Sequence, residues 1–156
     1  MKRDPALVAL SRDHHLALSV ARTLKRATAD TASDARAAFA DFWQEHGRGH
    51  FRLEEEILLP AYAQHGDPCH QLVARALCDH VDIRARADTL AVDATPDPAI
   101  LHELGTRLAD HVRLEERQLF PLIEAALPAA RLAAVATALD HTERCAVSGR
   151  GGACAV

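Results

Sequence analysis

Apolar residues recur every three or four positions along most of the chain, which is the period of an amphipathic α-helix. Four long stripes of this kind precede a shorter fifth one, and Ala, Leu, Arg and Glu are abundant throughout, as is typical of helices. The stripes are Leu7, Leu10, His14, Ala17, Ala21 and Leu24; Phe39, Phe42, Trp43, His46, His50, Leu53, Glu54, Ile57 and Ala61; Leu72, Ala76, His80, Ile83, Ala87 and Leu90; Leu101, Leu104, Leu108, His111, Glu115 and Leu122; and Leu132, Val135 and Leu139.

Short polar segments that contain proline separate several of these stripes. Asp67 before Pro68 and Asp97 before Pro98 each predict an N-cap followed by a helix that starts on the proline. Pro128 predicts the start of the fifth helix. Long helices joined by short turns favour antiparallel neighbours. The predicted fold class is therefore all-α, an up-down antiparallel four-helix bundle with a short C-terminal fifth helix.

The chain also repeats itself. Residues 50–60 align with residues 111–121 and share His, Arg, Leu, two Glu, Leu and Pro, while Asp13-His14 upstream matches Asp79-His80. Helical periodicity alone would reproduce the leucines but not the His, Glu and Pro residues. The sequence therefore predicts two helical hairpins of one design. The two repeated prolines, Pro60 and Pro121, are expected to bend or end their helices.

Composition limits the classes of protein that need considering. The 156 residues suit one domain, and we expect it to span residues 1–146, with 147–156 a disordered tail. The net charge of −4 excludes a strongly basic nucleic-acid binder. No apolar run is long enough for a membrane span, and charged residues near the start argue against a secretion signal, so a cytoplasmic location is expected.

The four cysteines do not form a metal or disulfide motif. They include no C-x-x-C pair, so a reduced state is expected. Cys69 and Cys78 are predicted to be small core or boundary residues, and Cys154 lies in the predicted tail.

Histidines and glutamates on the apolar stripes are the main chemical feature of the sequence. His50 and Glu54 are four residues apart, as are His111 and Glu115, so each pair shares one helix face. His14 and His80 also lie on apolar stripes. Burying each of these groups without a partner would cost roughly several kcal/mol of folding free energy, and a bound metal removes that cost.

The donor set indicates the kind of metal. Four imidazoles and two carboxylates without thiolate differ from a typical structural zinc site and from the all-oxygen sites of Ca²⁺ or Mg²⁺. Imidazole with carboxylate suits iron, and manganese less well. Two glutamates that meet at a bundle centre can bridge two metals. With a further oxo or hydroxo bridge, each iron would keep one vacancy, at which O₂, peroxide or NO could bind.

Neighbouring residues offer alternatives to some of these ligands. His14 is favoured over His15, because it lies on the apolar face and aligns with His80. His46 precedes His50 by one turn and is a candidate for an outer contact or an alternative ligand.

The glutamates that follow the two candidate ligands are expected to play another part. Glu55 and Glu116 lie about 140° from the histidine of their own helix, so Glu54 and Glu115 are favoured as ligands. The expected partners of Glu55, Glu56 and Glu116 are solvent, Arg52 or Arg113.

At these residues the chain resembles the hemerythrin family in its bacterial HHE cation-binding form, over roughly residues 5–127. The resemblance implies a four-helix bundle with two non-haem Fe ions, bridged by carboxylate and by oxo or hydroxo groups, for which Mn or Zn are possible substitutes. Carried over position by position, the implied metal ligands are His14, His50, Glu54, His80, His111 and Glu115.

One position departs from the oxygen-carrying members. Those have a second histidine one turn after the third-helix ligand, where this chain has Arg84. The four-His, two-Glu pattern is similar to the di-iron repair proteins of nitrosative stress, although the chain lacks their N-terminal redox cysteine motif. The expected function is binding or sensing of O₂, NO or peroxide. The alternatives are iron donation to damaged iron–sulfur clusters and a redox stress enzyme, with an electron donor or protein partner unidentified.

Overall fold

The computed structural model describes residues 3–148, with side chains described up to residue 142. Every regular element in that part of the chain is helical, and there are five helices. Helix α1 is Val8–Lys25, preceded by a 3₁₀ turn at Pro5–Leu7. Helix α2 spans residues 32–63, α3 is Gln71–Val92, α4 spans residues 98–126 and α5 is Ala129–Ser148. Within the described residues, no helix is both long and apolar enough to cross a membrane.

Helices α2 and α4 each combine α-helical and π-helical turns. Helix α2 consists of α-helical Ala32–Phe42, Arg48–Leu53 and Leu59–Ala63, separated by π turns at Trp43–Gly47 and Glu54–Leu58. Helix α4 consists of Pro98–Leu114 and Phe120–Ala126 on either side of a π turn at Glu115–Leu119. Neither helix ends at its proline, because α2 continues to Ala63 and α4 to Ala126.

The predicted helix starts are right for α4 and wrong for α3. The Asp97 carboxylate accepts a hydrogen bond of 2.8 Å from the Ala99 amide, and α4 begins at Pro98. Helix α3 begins at Gln71 instead of Pro68, and the ring nitrogen of His70 caps it. Asp67 caps only the preceding turn, because its side chain binds the amide of Cys69.

Two other expectations also need correction. Cys69 and Cys78 are exposed, so neither belongs to the core or its boundary. The fifth helix, α5, is not short, because it has 20 residues whereas α1 has 18. Its predicted apolar stripe of Leu132, Val135 and Leu139 is buried, as expected. The helix runs to Ser148, and residues 149–156 of the predicted tail, including Cys154, lie outside the described residues.

The hydrophobic core consists of two clusters. One includes Leu24, Phe39, Trp43, Ile83 and Leu108, and the other includes Leu10, Leu58, Phe120, Ile123 and Val135. A polar layer belongs to neither cluster. It contains the buried polar residues of the described chain, which are His14, His50, Glu54, Asp79, His80, His111 and Glu115. Six of these seven are the ligands expected from the sequence.

Candidate metal centre

The six expected ligand residues form two overlapping groups in the centre of the bundle. One group is His14, His50, Glu54 and Glu115, and the other is Glu54, His80, His111 and Glu115. Within each group, one nitrogen or oxygen atom per residue lies within 4.8 Å of the others, and every residue is buried. The two groups share both carboxylates.

Helices α2 and α4 supply the two carboxylates from equivalent positions. Glu54 and Glu115 each begin a π turn, one helical turn after a histidine on the same helix. The Nε2 atom of His50 lies 3.3 Å from Glu54 Oε1, and that of His111 lies 3.2 Å from Glu115 Oε2. The spacing of four residues places each histidine beside its glutamate, as the sequence predicts.

Helices α1 and α3 bring the other two histidines against the carboxylates. The Nε2 atom of His14 lies 3.1 Å from Glu115 Oε2, and that of His80 lies 3.2 Å from Glu54 Oε2. Each carboxylate therefore lies between histidines of both groups.

The inner atoms of this cluster lack the partners that buried polar atoms normally have. None of the four carboxylate oxygens of Glu54 and Glu115 accepts a hydrogen bond. The Nε2 atoms of His14 and His50 face each other at 3.0 Å, where two nitrogen lone pairs repel unless a proton or cation intervenes. Buried donors and acceptors are nearly always satisfied in native structures. The cluster therefore has the chemistry of a cation site.

On their outer sides, the same histidines are held by a second set of carboxylates. The Nδ1 of His14 donates to Glu116 Oε1 at 2.7 Å, and the Nδ1 of His80 donates to Glu55 Oε1 at 2.7 Å. A hydrogen bond at Nδ1 fixes the ring and directs the Nε2 lone pair inward, as is usual for metal-bound histidine.

Aspartates lie in the corresponding place for the other two histidines. The Nδ1 of His50 donates to Asp13 Oδ2 at 3.3 Å. The Nδ1 of His111 lies 3.9 Å from Asp79 Oδ2, which is too long for a hydrogen bond. Three histidines thus have a direct outer partner, and the fourth has a carboxylate nearby.

The sequence prediction for Glu55 and Glu116 is wrong. Arg52 binds Glu56, which the sequence also offered as its partner, but among the described residues neither Glu55 nor Glu116 pairs with Arg52 or Arg113. Arg113 binds Asp110 instead. A helical wheel describes one helix alone, whereas a neighbouring helix covers the side on which each glutamate lies. A signal was present in the repeat, which reproduces both glutamates and the two aspartates before His14 and His80.

Two arginines complete the outer contacts. Arg84 is 34% exposed, and its guanidinium binds both oxygens of Glu55, at 2.8 and 2.9 Å. It also lies over the ring of Phe51, at 5.4 Å from the centroid. Arg3 binds Glu116 Oε2 at 2.6 Å. Arg84 therefore acts through Glu55 and does not point its charge at the centre.

Electrostatics differ among the buried histidines. Burial opposes the charged form of His80, but the carboxylates of Glu115 and Glu54 outweigh it and raise the pKa of His80 to about 9. Burial dominates at His111 and lowers its pKa. Burial would raise the pKa of Glu54, but the charges of the adjacent His50 and His80 rings outweigh burial and hold that pKa well below its usual range.

The outer carboxylate Glu116 is also held in its charged form. Burial alone would raise its pKa, but hydrogen bonds from His14, Ser11 and Arg3 lower the pKa to about 2. This carboxylate is therefore an acceptor for the His14 ring.

The alternative ligands lie away from the cluster. His15 is exposed, and the side chain of His46 is 41% exposed, with its Nδ1 at 3.6 Å from Asp13 Oδ1. His46 thus belongs to the outer contacts of Asp13 and not to either group of possible ligands.

A small cavity lies beside three histidines of the cluster, His14, His50 and His111. Its volume is about 10 Å³. Its walls are Asp13, His14, Ala17, Phe42, Trp43, Gly47, His50, Phe51, Leu108, His111 and Val112. A space of this size holds about one water-sized molecule.

Comparison with models of protein families agrees with this geometry, whereas no curated protein and no solved structure matches the chain. The family model described as the hemerythrin HHE cation-binding domain matches residues 6–123, which is more than half of the chain and includes both groups of ligand candidates. The chain therefore belongs to the hemerythrin HHE cation-binding domain family.

Proposed function

We propose that the protein binds two iron ions, with one pair of histidines on each ion and both inner carboxylates bridging them. The pairs are His14 with His50 and His80 with His111, and the bridges are Glu54 and Glu115. The observation that carries this proposal is the set of four buried carboxylate oxygens without hydrogen bonds, between two histidine pairs. A pair of divalent cations supplies the missing partners.

The donor types favour iron over other cations. Both groups contain two imidazoles and two carboxylates and no thiolate. Such sets suit iron, with manganese or zinc as substitutes, whereas structural zinc is commonly held by cysteine and Ca²⁺ by oxygen alone. Iron held by these residues would supply redox-active coordination of a small molecule.

We also infer that α1 to α4 run up and down in an antiparallel bundle. The connections span only residues 26–31, 64–70 and 93–97, and short connections favour antiparallel neighbours. Each of the four helices also contributes one histidine to the same polar layer.

The proposed ligand is a diatomic molecule, O₂ or NO, or peroxide. The small cavity beside His14, His50 and His111 is walled mostly by apolar and aromatic side chains. These walls exclude bulk water and larger substrates from that side. The outer carboxylates hold the Nδ1 protons of three of the histidines, so these protons are not free to reach a molecule in the cavity.

Iron donation to damaged iron–sulfur clusters is the second candidate. The observation that favours it is Arg84, which stands where oxygen carriers have a further histidine and is bound to Glu55. Helix α3 thus brings only His80 into the two groups of possible ligands.

Anaerobic loading with Fe²⁺, followed by exposure to O₂ or NO, tests the proposal. We expect two irons per chain and a visible absorption band that appears with the gas and disappears on its removal. Two irons that oxidise irreversibly would instead favour redox chemistry or donation, and an iron-transfer assay to an apo cluster protein separates these. Failure to bind two irons would overturn the di-iron proposal.

The Glu54→Ala, Glu115→Ala double variant is the control for the bridging assignment. It removes both shared carboxylates, so we expect it to lose both irons. Retention of two irons per chain by this variant would show that the bridges are assigned wrongly.

A further inference from the structure

A larger cavity lies on the surface between α1 and α4, outside the two groups of metal-ligand candidates. Its volume is about 410 Å³, which falls in the range of roughly 300–1,000 Å³ that is typical of small-molecule sites. Four mainly apolar residues contribute to its lining: Leu18, Ala21, Ala109 and Val112. We call this cavity the α1–α4 groove.

Beside the groove, α1 and α4 approach each other closely at Gly105. A Cβ atom on Gly105 would lie 2.7 Å from the carbonyl oxygen of Ala21 and 2.9 Å from Cγ of Lys25. The Lys25 side chain therefore crosses toward α4 at this point. Larger side chains on the two helices stand at the sides of the groove.

Both sides of the groove carry positive charge. Arg22 and Lys25 are three residues apart on α1, and Arg113 and Arg117 are four residues apart on α4, so each pair lies along one helix face. Arg113 binds Asp110 at 2.8 Å. The other three cations of the groove are Arg22, Lys25 and Arg117. None of them forms an ion pair with a carboxylate of residues 3–142. This concentration of cations stands out in a chain whose net charge is −4.

The single carboxylate in the groove does not neutralise these cations. Glu116 lines the groove, but its Oε1 accepts from His14 and Ser11, and its Oε2 accepts from Arg3. Its hydrogen-bonding capacity is thus largely directed to other residues. A cleft lined by one sign of charge attracts and concentrates counter-ions.

We propose that the α1–α4 groove binds an organic anion that carries two or more phosphate groups. Guanidinium groups match phosphate oxygens in geometry and charge, and each helix presents two cations one turn apart. The apolar residues between them offer contact area to the organic part of the ligand. The groove is large enough for a small molecule, and none of its lining residues is among the candidate metal ligands.

Titration calorimetry with ADP at low salt tests this assignment, with adenosine and pyrophosphate as the two partial ligands. We expect ADP to bind saturably, pyrophosphate to bind more weakly, and adenosine not to bind. Higher NaCl concentration weakens binding, because salt screens exposed charges. Adenosine that binds as tightly as ADP, or no saturable ADP binding, would overturn the proposal.

The Arg22→Gln, Arg117→Gln double variant locates the site. Both side chains are exposed, so we expect an unchanged unfolding temperature. The dissociation constant for ADP should rise at least about tenfold, as expected for the loss of charge-assisted hydrogen bonds. The matched control, Arg48→Gln with Arg52→Gln, removes the same charge from exposed positions of α2 and should bind ADP as the parent does.

The same comparison separates groove binding from removal of iron by ADP. Extraction of iron from the bundle would be equal in the two double variants, because neither changes a ligand candidate. Equal ADP binding by both variants would contradict the assignment, whether or not the protein binds iron.

Discussion

At the scale of single residues, the two ring nitrogens of a candidate ligand histidine have different contacts, Nε2 in the cluster and Nδ1 outside it. His14 and His80 each direct one nitrogen into the cluster and donate the other to a half-buried glutamate. The inner nitrogen is left for a cation, while the outer proton is held. Glu55 and Glu116 are thus positioning residues for the proposed centre.

Glu55→Ala should weaken iron binding without abolishing it. The substitution removes the acceptor for His80 Nδ1 and releases Arg84. We expect iron affinity to fall about 10- to 100-fold, as is typical for loss of a partner of a metal-bound histidine. Competition with a chelator of known affinity measures the change.

Glu56→Ala is the control for that variant. Glu56 is 58% exposed at its side chain, and its partner within residues 3–142 is Arg52. We expect its iron affinity to match that of the parent protein. Equal losses in the two variants would mean that Glu55 has no special role.

His14→Ala should lose iron, whereas His15→Ala should keep it. The two residues are adjacent, but His14 is buried in the cluster and His15 is exposed. Iron per chain after anaerobic loading gives the comparison. Greater loss in His15→Ala would reverse the choice of ligand.

At the scale of the helix, the π turns are the feature that accompanies the site. Leu59 donates to the carbonyl of Glu54, and Phe120 to that of Glu115, each five residues back. Each proline follows one residue later, where its ring would clash with a carbonyl in a regular α-helix. The wider turn lets both helices continue past their prolines. π turns are rare and often occur at functional sites.

The space around two helical glycines predicts opposite effects of alanine on the free energy of unfolding. Gly105 lies where α1 and α4 approach closely, whereas Gly49 lies on an open face of α2. A Cβ at Gly105 meets the Ala21 carbonyl and the Leu24 side chain, so Gly105→Ala should lower the free energy of unfolding by about 1–3 kcal/mol. Gly49 has open space around its Cα within α2, so Gly49→Ala should raise that free energy by about 0.5–1 kcal/mol. Urea unfolding of the metal-free protein measures both. A stabilising Gly105→Ala would show that the two helices separate readily.

At the scale of the whole molecule, the polar layer has an approximate twofold arrangement. Phe51 stacks on His80 with centroids 3.8 Å apart, and Phe120 stacks on His14 at 5.3 Å. These phenylalanines are not at equivalent positions of the sequence repeat. A phenylalanine therefore stacks on each of the two histidines, although the two phenylalanines come from different positions of the repeat. The polar layer separates the two hydrophobic clusters.

Iron should stabilise the whole bundle because it offsets the cost of this polar layer. A ligand present at 100 times its dissociation constant adds about 2.7 kcal/mol to the free energy of unfolding. We expect Fe²⁺ under anaerobic conditions to raise the unfolding temperature of the parent protein. The Glu54→Ala, Glu115→Ala variant should show no such rise, and an equal rise in both would place the iron elsewhere.

The sequence by itself determined the helical class, most of the core positions and six of the seven residues of the polar layer. These follow from local rules, because helical spacing decides which residues share a face and the repeat shows which polar ones recur. Only the tertiary structure decided how the helices combine these residues. It paired His14 with His50 and His80 with His111, turned Glu55 and Glu116 toward histidines of other helices, and bound Arg84 to Glu55. Such contacts depend on which helix is the neighbour, and the periodicity of one helix carries no information about that.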